Sequence, residues 1–241
     1  MKKTVIDILQ RHQAEFHPVV SFDPEKDRLL LMDLTKNNQE ISEELVNDTQ
    51  QFGNYINQKL QSVNAKFGIG GYNEHRELYS RSRVFDSVSP SIEGGKVEVE
   101  PRRLHLGIDI WGRPYTAVMS PWDGIVHSFA FNNRFGDYGA TLVLSHNIEE
   151  TPFHTLYGHL SLNSIKNFRQ GENVRRGDVI GEFGIPMENG QWPPHLHFQV
   201  IIDMEHWQGD YPGVCTLSEK EKFLSNCPDP DVILQMMRYA T

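Results

Sequence analysis

After Pro101 the apolar residues of this chain fall into short β-type runs punctuated by glycine: Leu104–Ile110, Gly124–Phe131, Thr141–His146, Thr155–Tyr157, Asp178–Phe183 and Leu196–Ile202. Short runs rich in β-branched and aromatic residues and bounded by turn residues are strands. Runs this short, set off by turn residues and with no helical pattern between them, favour pairing with neighbours of opposite direction. The spacing predicts an antiparallel β-sheet domain over residues 101–203.

The flanks read differently. From Thr35 to Phe67, apolar residues at Ile41, Leu45, Phe52, Ile56, Leu60, Val63 and Phe67 are spaced by three, four and seven, as on one stripe of a helix, with Gly53 as a point of interruption. That stripe either packs on the chain's own core or carries a homodimer contact. Gly68, Gly70 and Gly71 end the pattern, and the following stretch, with Pro90 and Gly94-Gly95, reads as turns and short strands; Gly70–Arg76 reads as an ordinary polar loop, the alternative being a segment that lies over the domain's groove and restricts it. Near the C-terminus, Ser218 and Glu221 have capping-box spacing and predict a short helix before Pro228 and Pro230. The expected organisation is a helical, then loop-rich, N-terminal extension over 1–100, the β domain over 101–203, and a C-terminal extension over 204–241. The fold class is mainly β, α+β overall.

A net charge of −9 excludes a duplex nucleic-acid binder, which would gain its affinity by neutralising phosphates with Lys and Arg. No stretch approaches the length of a transmembrane segment. The opening Met1-Lys2-Lys3-Thr4-Val5-Ile6-Asp7 is interrupted by Asp7, Gln10 and Arg11 before an apolar run develops, so it reads as a helix start and not a secretory signal. The two cysteines, Cys215 and Cys227, match no thiolate metal motif and are too few for a disulfide framework. A cytoplasmic location is the expectation, or a secreted one if a leader has been removed.

Chemistry is concentrated at two places. In His105-Leu106-Gly107-Ile108-Asp109 an imidazole and a carboxylate stand four apart, on one face of a strand, while Leu106 and Ile108 take the other. In His195-Leu196-His197-Phe198-Gln199-Val200 the polar side chains share one face and Leu196, Phe198 and Val200 share the opposite, core-facing one. Among eleven histidines an His-x-His pair arises easily by chance, so spacing alone does not decide. The alternative reading is hydrogen-bonded core histidines and a turn-capping aspartate. Two imidazoles and one carboxylate do, however, suit a catalytic zinc, which takes three protein ligands and keeps a fourth position open.

The order of motifs adds to this. His-x-Gly-x-Asp is followed by Ser120-Pro121-Trp122-Asp123-Gly124-Ile125-Val126, Leu156-Tyr157-Gly158-His159-Leu160-Ser161, Val174-Arg175-Arg176-Gly177-Asp178-Val179-Ile180-Gly181 and Pro194-His195-Leu196-His197-Phe198. This series resembles the lysostaphin and LytM family of zinc metallopeptidases over Leu104 to Ile202. The resemblance implies one zinc ion held by His105, Asp109 and His197. It also implies that His159 and His195 do not bind metal but move protons, in roles it does not divide between them. His127, His146 and His154 match no motif position and are expected to be surface or core residues.

The implied activity is that of a zinc-dependent endopeptidase or amidase hydrolysing an amide bond with zinc-activated water, on a peptide or peptidoglycan-fragment substrate. Two other readings stand beside it: a regulatory or binding module of the same fold, and a hydrolase of a small cytoplasmic amide. Retention of all three implied ligands and both histidines favours an enzyme. Where relatives carry a Gly- and Ser-rich loop, this chain has Met187-Glu188-Asn189-Gly190-Gln191-Trp192-Pro193-Pro194, a bulkier segment expected to shape its own groove.

Overall fold

Fifteen strands are seen among the described residues of the computed structural model, which are 4–86, 91–93, 96–98 and 100–241. They are β1 (Leu29–Leu31), β2 (Phe67–Gly70), β3 (Glu74–His75), β4 (Ser91–Glu93), β5 (Lys96–Glu98), β6 (Leu104–His105), β7 (Ile108–Trp111), β8 (Ala117–Met119), β9 (Gly124–Asn132), β10 (Gly139–Ile148), β11 (Thr151–Leu160), β12 (Asn173–Val174), β13 (Val179–Glu182), β14 (His195–Ile201) and β15 (Val214–Cys215). The helices are α1 (Val5–Arg11), α2 (Glu43–Asn47), α3 (Thr49–Ser62), α4 (Lys220–Asn226) and α5 (Asp231–Leu234). The turns expected at Pro90 and Gly94-Gly95 lie outside the described residues, as does the Met1-Lys2-Lys3 opening.

The main sheet has eight strands in the order β1-β2-β7-β14-β11-β10-β9-β12. Its pairings are antiparallel except β1 with β2 at one edge, which are parallel. The fold is therefore sheet-rich with few helices, as the short apolar runs predict. A second sheet of three strands, β15-β6-β3, lies beside it.

The run Leu104–Ile110 is not one strand. β6 pairs with β3 and β15, whereas β7 pairs with β2 and β14, so the chain changes sheets at Leu106-Gly107. His105 and Asp109 thus reach the same place from two sheets, not from one continuous face.

Alternation along β14 sets which side chains go where. Leu196, Phe198 and Val200 are fully buried in a core shared with Ile108 and Ile110 of β7, Leu142 and Leu144 of β10, and Leu9 of α1. Full burial of one such side chain contributes about 1.5–3 kcal/mol. His195, His197 and Gln199 project from the other face.

The apolar stripe of residues 35–67 is split between elements. Asp48 accepts hydrogen bonds from Gln50 N and Gln51 N, capping α3 and separating it from α2, while Phe67 belongs to β2. Gly53 does not interrupt α3; no other atom lies close enough to contact a Cβ there. Phe52, Ile56 and Leu60 are buried with Leu78, Trp111 and Trp192, so the stripe that could have carried a homodimer covers the chain's own core. At the C-terminal end α4 forms, but without the expected capping box: Glu219 holds the N-cap position, and its amide donates to Thr216 Oγ1 at 3.3 Å.

Candidate metal centre

Antiparallel register puts His197 of β14 directly opposite Asp109 of β7, and His195 opposite Trp111. β6 delivers His105 from the neighbouring sheet. His105 Nε2, His197 Nδ1 and Asp109 Oδ1 converge with separations of 2.9, 3.2 and 3.3 Å. All three residues are almost wholly buried. Among the described residues they form the one group of His, Cys, Asp or Glu able to hold a metal.

The protons are fixed from outside this triangle. His105 Nδ1 lies 2.8 Å from the Gly71 carbonyl, which can only accept, so Nδ1 carries the hydrogen and Nε2 presents a lone pair. His197 Nε2 lies 2.9 Å from Gln199 Oε1. The Gln199 amide is oriented by its Nε2 donating to the Pro212 carbonyl at 3.2 Å, so His197 Nε2 donates and Nδ1 presents its lone pair inward. Burial pushes His105 down to about 4, against the opposing pull of Asp109, so its ring is neutral near pH 7. Burial works against the Asp109 charge, but His105 and Arg76 beside it hold the carboxyl well below its usual range.

Two lone pairs and a carboxylate oxygen therefore face one another with no hydrogen between them. Such an arrangement is repulsive unless a cation shares it. Zinc at 2.0–2.1 Å from each donor would set them about 3.3–3.4 Å apart on a tetrahedral face, close to the separations seen. The donor set fits zinc, and both imidazoles have the outer hydrogen bond that metal-bound histidines use to fix their tautomer.

Gly107 makes this approach feasible: a Cβ there would lie 2.5 Å from His197 Cε1 and 2.6 Å from its Nε2.

His159 and His195 form a second pair, ring centroids 4.1 Å apart. His159 Nδ1 donates to the Asn189 carbonyl at 2.8 Å and His195 Nδ1 to the Pro193 carbonyl at 2.7 Å, leaving Nε2 of each as the lone-pair nitrogen. Trp111 stacks on His195 at 4.0 Å and holds its ring plane. Burial, reinforced by His195 and His197, pushes His159 well below the usual histidine range, and burial brings His195 to about 4 against the pull of Asp109. Both are neutral bases at pH 7. They line, with Asp109 and His197, a cavity of about 550 Å³ also walled by Tyr79, Tyr138 and Trp192.

The three remaining histidines singled out by sequence lie elsewhere. His146 is buried between the Asp123 carbonyl and Thr155 Oγ1, and His127 contacts Ser128 Oγ and the His154 ring. Cys215 and Cys227 are free, buried thiols.

Residues 103–208 match peptidase family M23. The chain contains an M23 peptidase domain. Over 119 residues the chain is 33% identical to the L-Ala–D-Glu endopeptidase of Bacillus subtilis, a match covering 46% of this chain and 34% of that protein. Among solved structures it is similar to a zinc-containing peptidase from Vibrio cholerae, with 26% identity, 49% of this chain and 34% of that one covered, and a TM-score of 0.33. It is also similar to the catalytic domain of lysostaphin from Staphylococcus simulans, with 20% identity, 71% and 96% covered, and a TM-score of 0.37. The chain thus spans about a third of the length of the first two of these relatives. His105, Asp109, His159, His195 and His197 all fall within the matched stretch.

Four groups at the site have roles that the sequence does not assign. Gln199 and Trp111 orient His197 and His195. Asn189 is fully buried and ties the 187–194 segment together, its side chain bonding the Gly184 carbonyl and both the carbonyl and amide of Trp192 at 3.0 Å each. Arg76, read as part of a polar loop, is 1% exposed and donates to Asp109 Oδ2. Alternation puts Gln199 on the histidines' face but assigns it no role. Nothing local marks Arg76, whose partner is 33 residues away.

Proposed function

We propose that this chain is a zinc-dependent metallopeptidase that hydrolyses an amide bond in a peptide of the peptidoglycan or glycine-containing type. The observation that carries the reading is the convergence of His105 Nε2, His197 Nδ1 and Asp109 Oδ1 as three proton-free acceptors inside an M23 peptidase domain. His105, Asp109 and His197 would hold the ion. Zinc bound there would supply Lewis acidity, activating a water and stabilising negative charge on the scissile carbonyl oxygen.

The chain's own residues supply the rest. His159 and His195 are neutral, with Nε2 free to take up a proton. One accepts at Nε2 the proton lost as water attacks, and that protonated Nε2 then passes it to the leaving amine; the other would donate to the oxyanion only once its own Nε2 is protonated. Their Nδ1 hydrogens are committed to main-chain carbonyls, so the rings cannot turn away without losing a buried hydrogen bond. Trp192 adds a broad apolar face beside His159.

The test is product analysis by mass spectrometry after incubating zinc-loaded protein with oligoglycines, a peptide containing an L-Ala–D-Glu bond, D-alanine-containing stem peptides and ordinary L-peptides, alongside His195→Ala. The expected result is cleavage of one class by wild type and none by the variant. A fully zinc-loaded wild type that cuts nothing in the panel would overturn the reading as a peptidase of these substrates.

A further inference from the structure

Residues 70–79 precede the stretch that matches the peptidase family, yet they reach the candidate metal centre at two points. The Gly71 carbonyl accepts from His105 Nδ1 at 2.8 Å. The Arg76 guanidinium donates through Nη1 to Asp109 Oδ2 and through Nη2 to the Gly70 carbonyl at 3.2 Å, while Nε donates to Glu74 Oε2. Arg76 is 1% exposed, so it is built into the site and does not hang over it.

The local backbone is shaped around this arginine. β2 pairs with β7, bringing Gly70 opposite Asp109, and β3 pairs with β6, bringing Glu74 opposite His105. Gly71 joins them at a φ of 105°, and a Cβ there would lie 1.7 Å from Arg76 Nη2. Only glycine meets both requirements.

Resting on the zinc reading above, we infer that Arg76 is a positioning residue for the metal centre: by holding Asp109 Oδ2, it makes the aspartate a one-oxygen ligand. Asp109 Oδ1 faces His105 and His197, and Oδ2 faces away, into the guanidinium. Carboxylates bind zinc at 2.0–2.2 Å, and an aspartate with both oxygens free can close on the ion with two. That would fill the position a substrate carbonyl or water needs. Glu74 compensates the arginine's charge, so Arg76 restrains Asp109 without adding net charge to the buried site. The metal centre of this chain then depends on a segment outside the family-matched domain.

The experiment uses the full chain with zinc replaced by Co²⁺, whose visible absorption is strong in four-coordinate sites and weakens in five-coordinate ones. Wild type is compared with Arg76→Lys, which keeps a cationic donor, and with the double variant Arg76→Met/Glu74→Gln, which removes the donor without stranding Glu74. Zinc stoichiometry and circular dichroism are recorded for each. The double variant is expected to fold and bind one ion, to lose visible Co²⁺ intensity, and, as zinc enzyme, to show kcat lowered about 10–100-fold with KM little changed. Arg76→Lys is expected to retain the wild-type spectrum. A folded double variant with the wild-type spectrum overturns the inference, as does a collapsed spectrum in Arg76→Lys, which remains readable should the double variant not fold. A wild type that takes up neither ion refutes the zinc reading itself, an outcome distinct from either.

Discussion

His105 Nε2 and His197 Nδ1 stand 2.9 Å apart, each presenting a lone pair to the other because the opposite ring nitrogen is committed as a donor, to Gly71 and to Gln199. Together with Asp109 Oδ1 they form a group that could hold a metal ion, its acceptor atoms already turned toward one another. Replacing His105, Asp109 or His197 by alanine is expected to abolish stoichiometric zinc binding, read by elemental analysis after dialysis. In wild type, free zinc at 1,000 times Kd should add about 4 kcal/mol of stability, read as a rise in Tm. Full zinc occupancy in any one of these variants would remove that residue from the ligand set.

His159 and His195 are expected to separate metal binding from turnover. Alanine at either position should leave zinc stoichiometry unchanged and lower kcat about 10²–10⁴-fold. Metal loss in His195→Ala would contradict the assignment of roles.

Gly107→Ala places a methyl 2.5 Å from His197 Cε1 and 2.8 Å from the Phe198 carbonyl oxygen. The ring must move, and the variant should bind zinc at least about tenfold more weakly in a chelator competition. Its circular dichroism should match wild type; unchanged affinity would show that His197 can shift without leaving the site.

Asn189→Ala removes three side-chain hydrogen bonds from a fully buried position. At about 1 kcal/mol each, the expected loss is about 3 kcal/mol in denaturant unfolding. Because the Asn189 carbonyl also accepts from His159 Nδ1, turnover should fall along with stability.

Acid should destabilise the fold through His146, which burial pushes down to about 4 in the folded chain from the ordinary value of 6.5. Between these values the unfolded chain binds the proton and the folded chain does not. The contribution is therefore present above pH 6.5 and lost as pH falls toward 4, up to about 3 kcal/mol at 1.36 kcal/mol per unit. Denaturant unfolding at pH 7 and pH 4.5 should show a smaller drop for His146→Gln than for wild type; equal drops would place the acid sensitivity elsewhere.

The alternation His195-Leu196-His197-Phe198-Gln199-Val200 was readable because side chains leave a strand on opposite faces whatever surrounds it. The helical stripe was readable only in part: Phe52, Ile56 and Leu60 do share a face, but the same spacing carried the reading through Asp48, where α3 is capped, and on to Phe67 in β2. Apolar periodicity does not see a cap that interrupts it in phase. Likewise His105 and Asp109 looked like one strand face, since a change of sheet at Leu106-Gly107 leaves no mark in a run of apolar residues and one glycine.

By itself the sequence determined which side chains are candidates for the site: two imidazoles and a carboxylate, two further histidines, and the apolar partners that turn them away from the core. Those are consequences of residue type and of the two-residue period of a strand, both local. Only the tertiary structure decided which nitrogen of each ring carries its hydrogen and where the second oxygen of Asp109 points. Gly71, Gln199 and Arg76 make those choices, and hydrogen-bond partners brought in from other strands depend on sheet order and register, which local spacing does not encode.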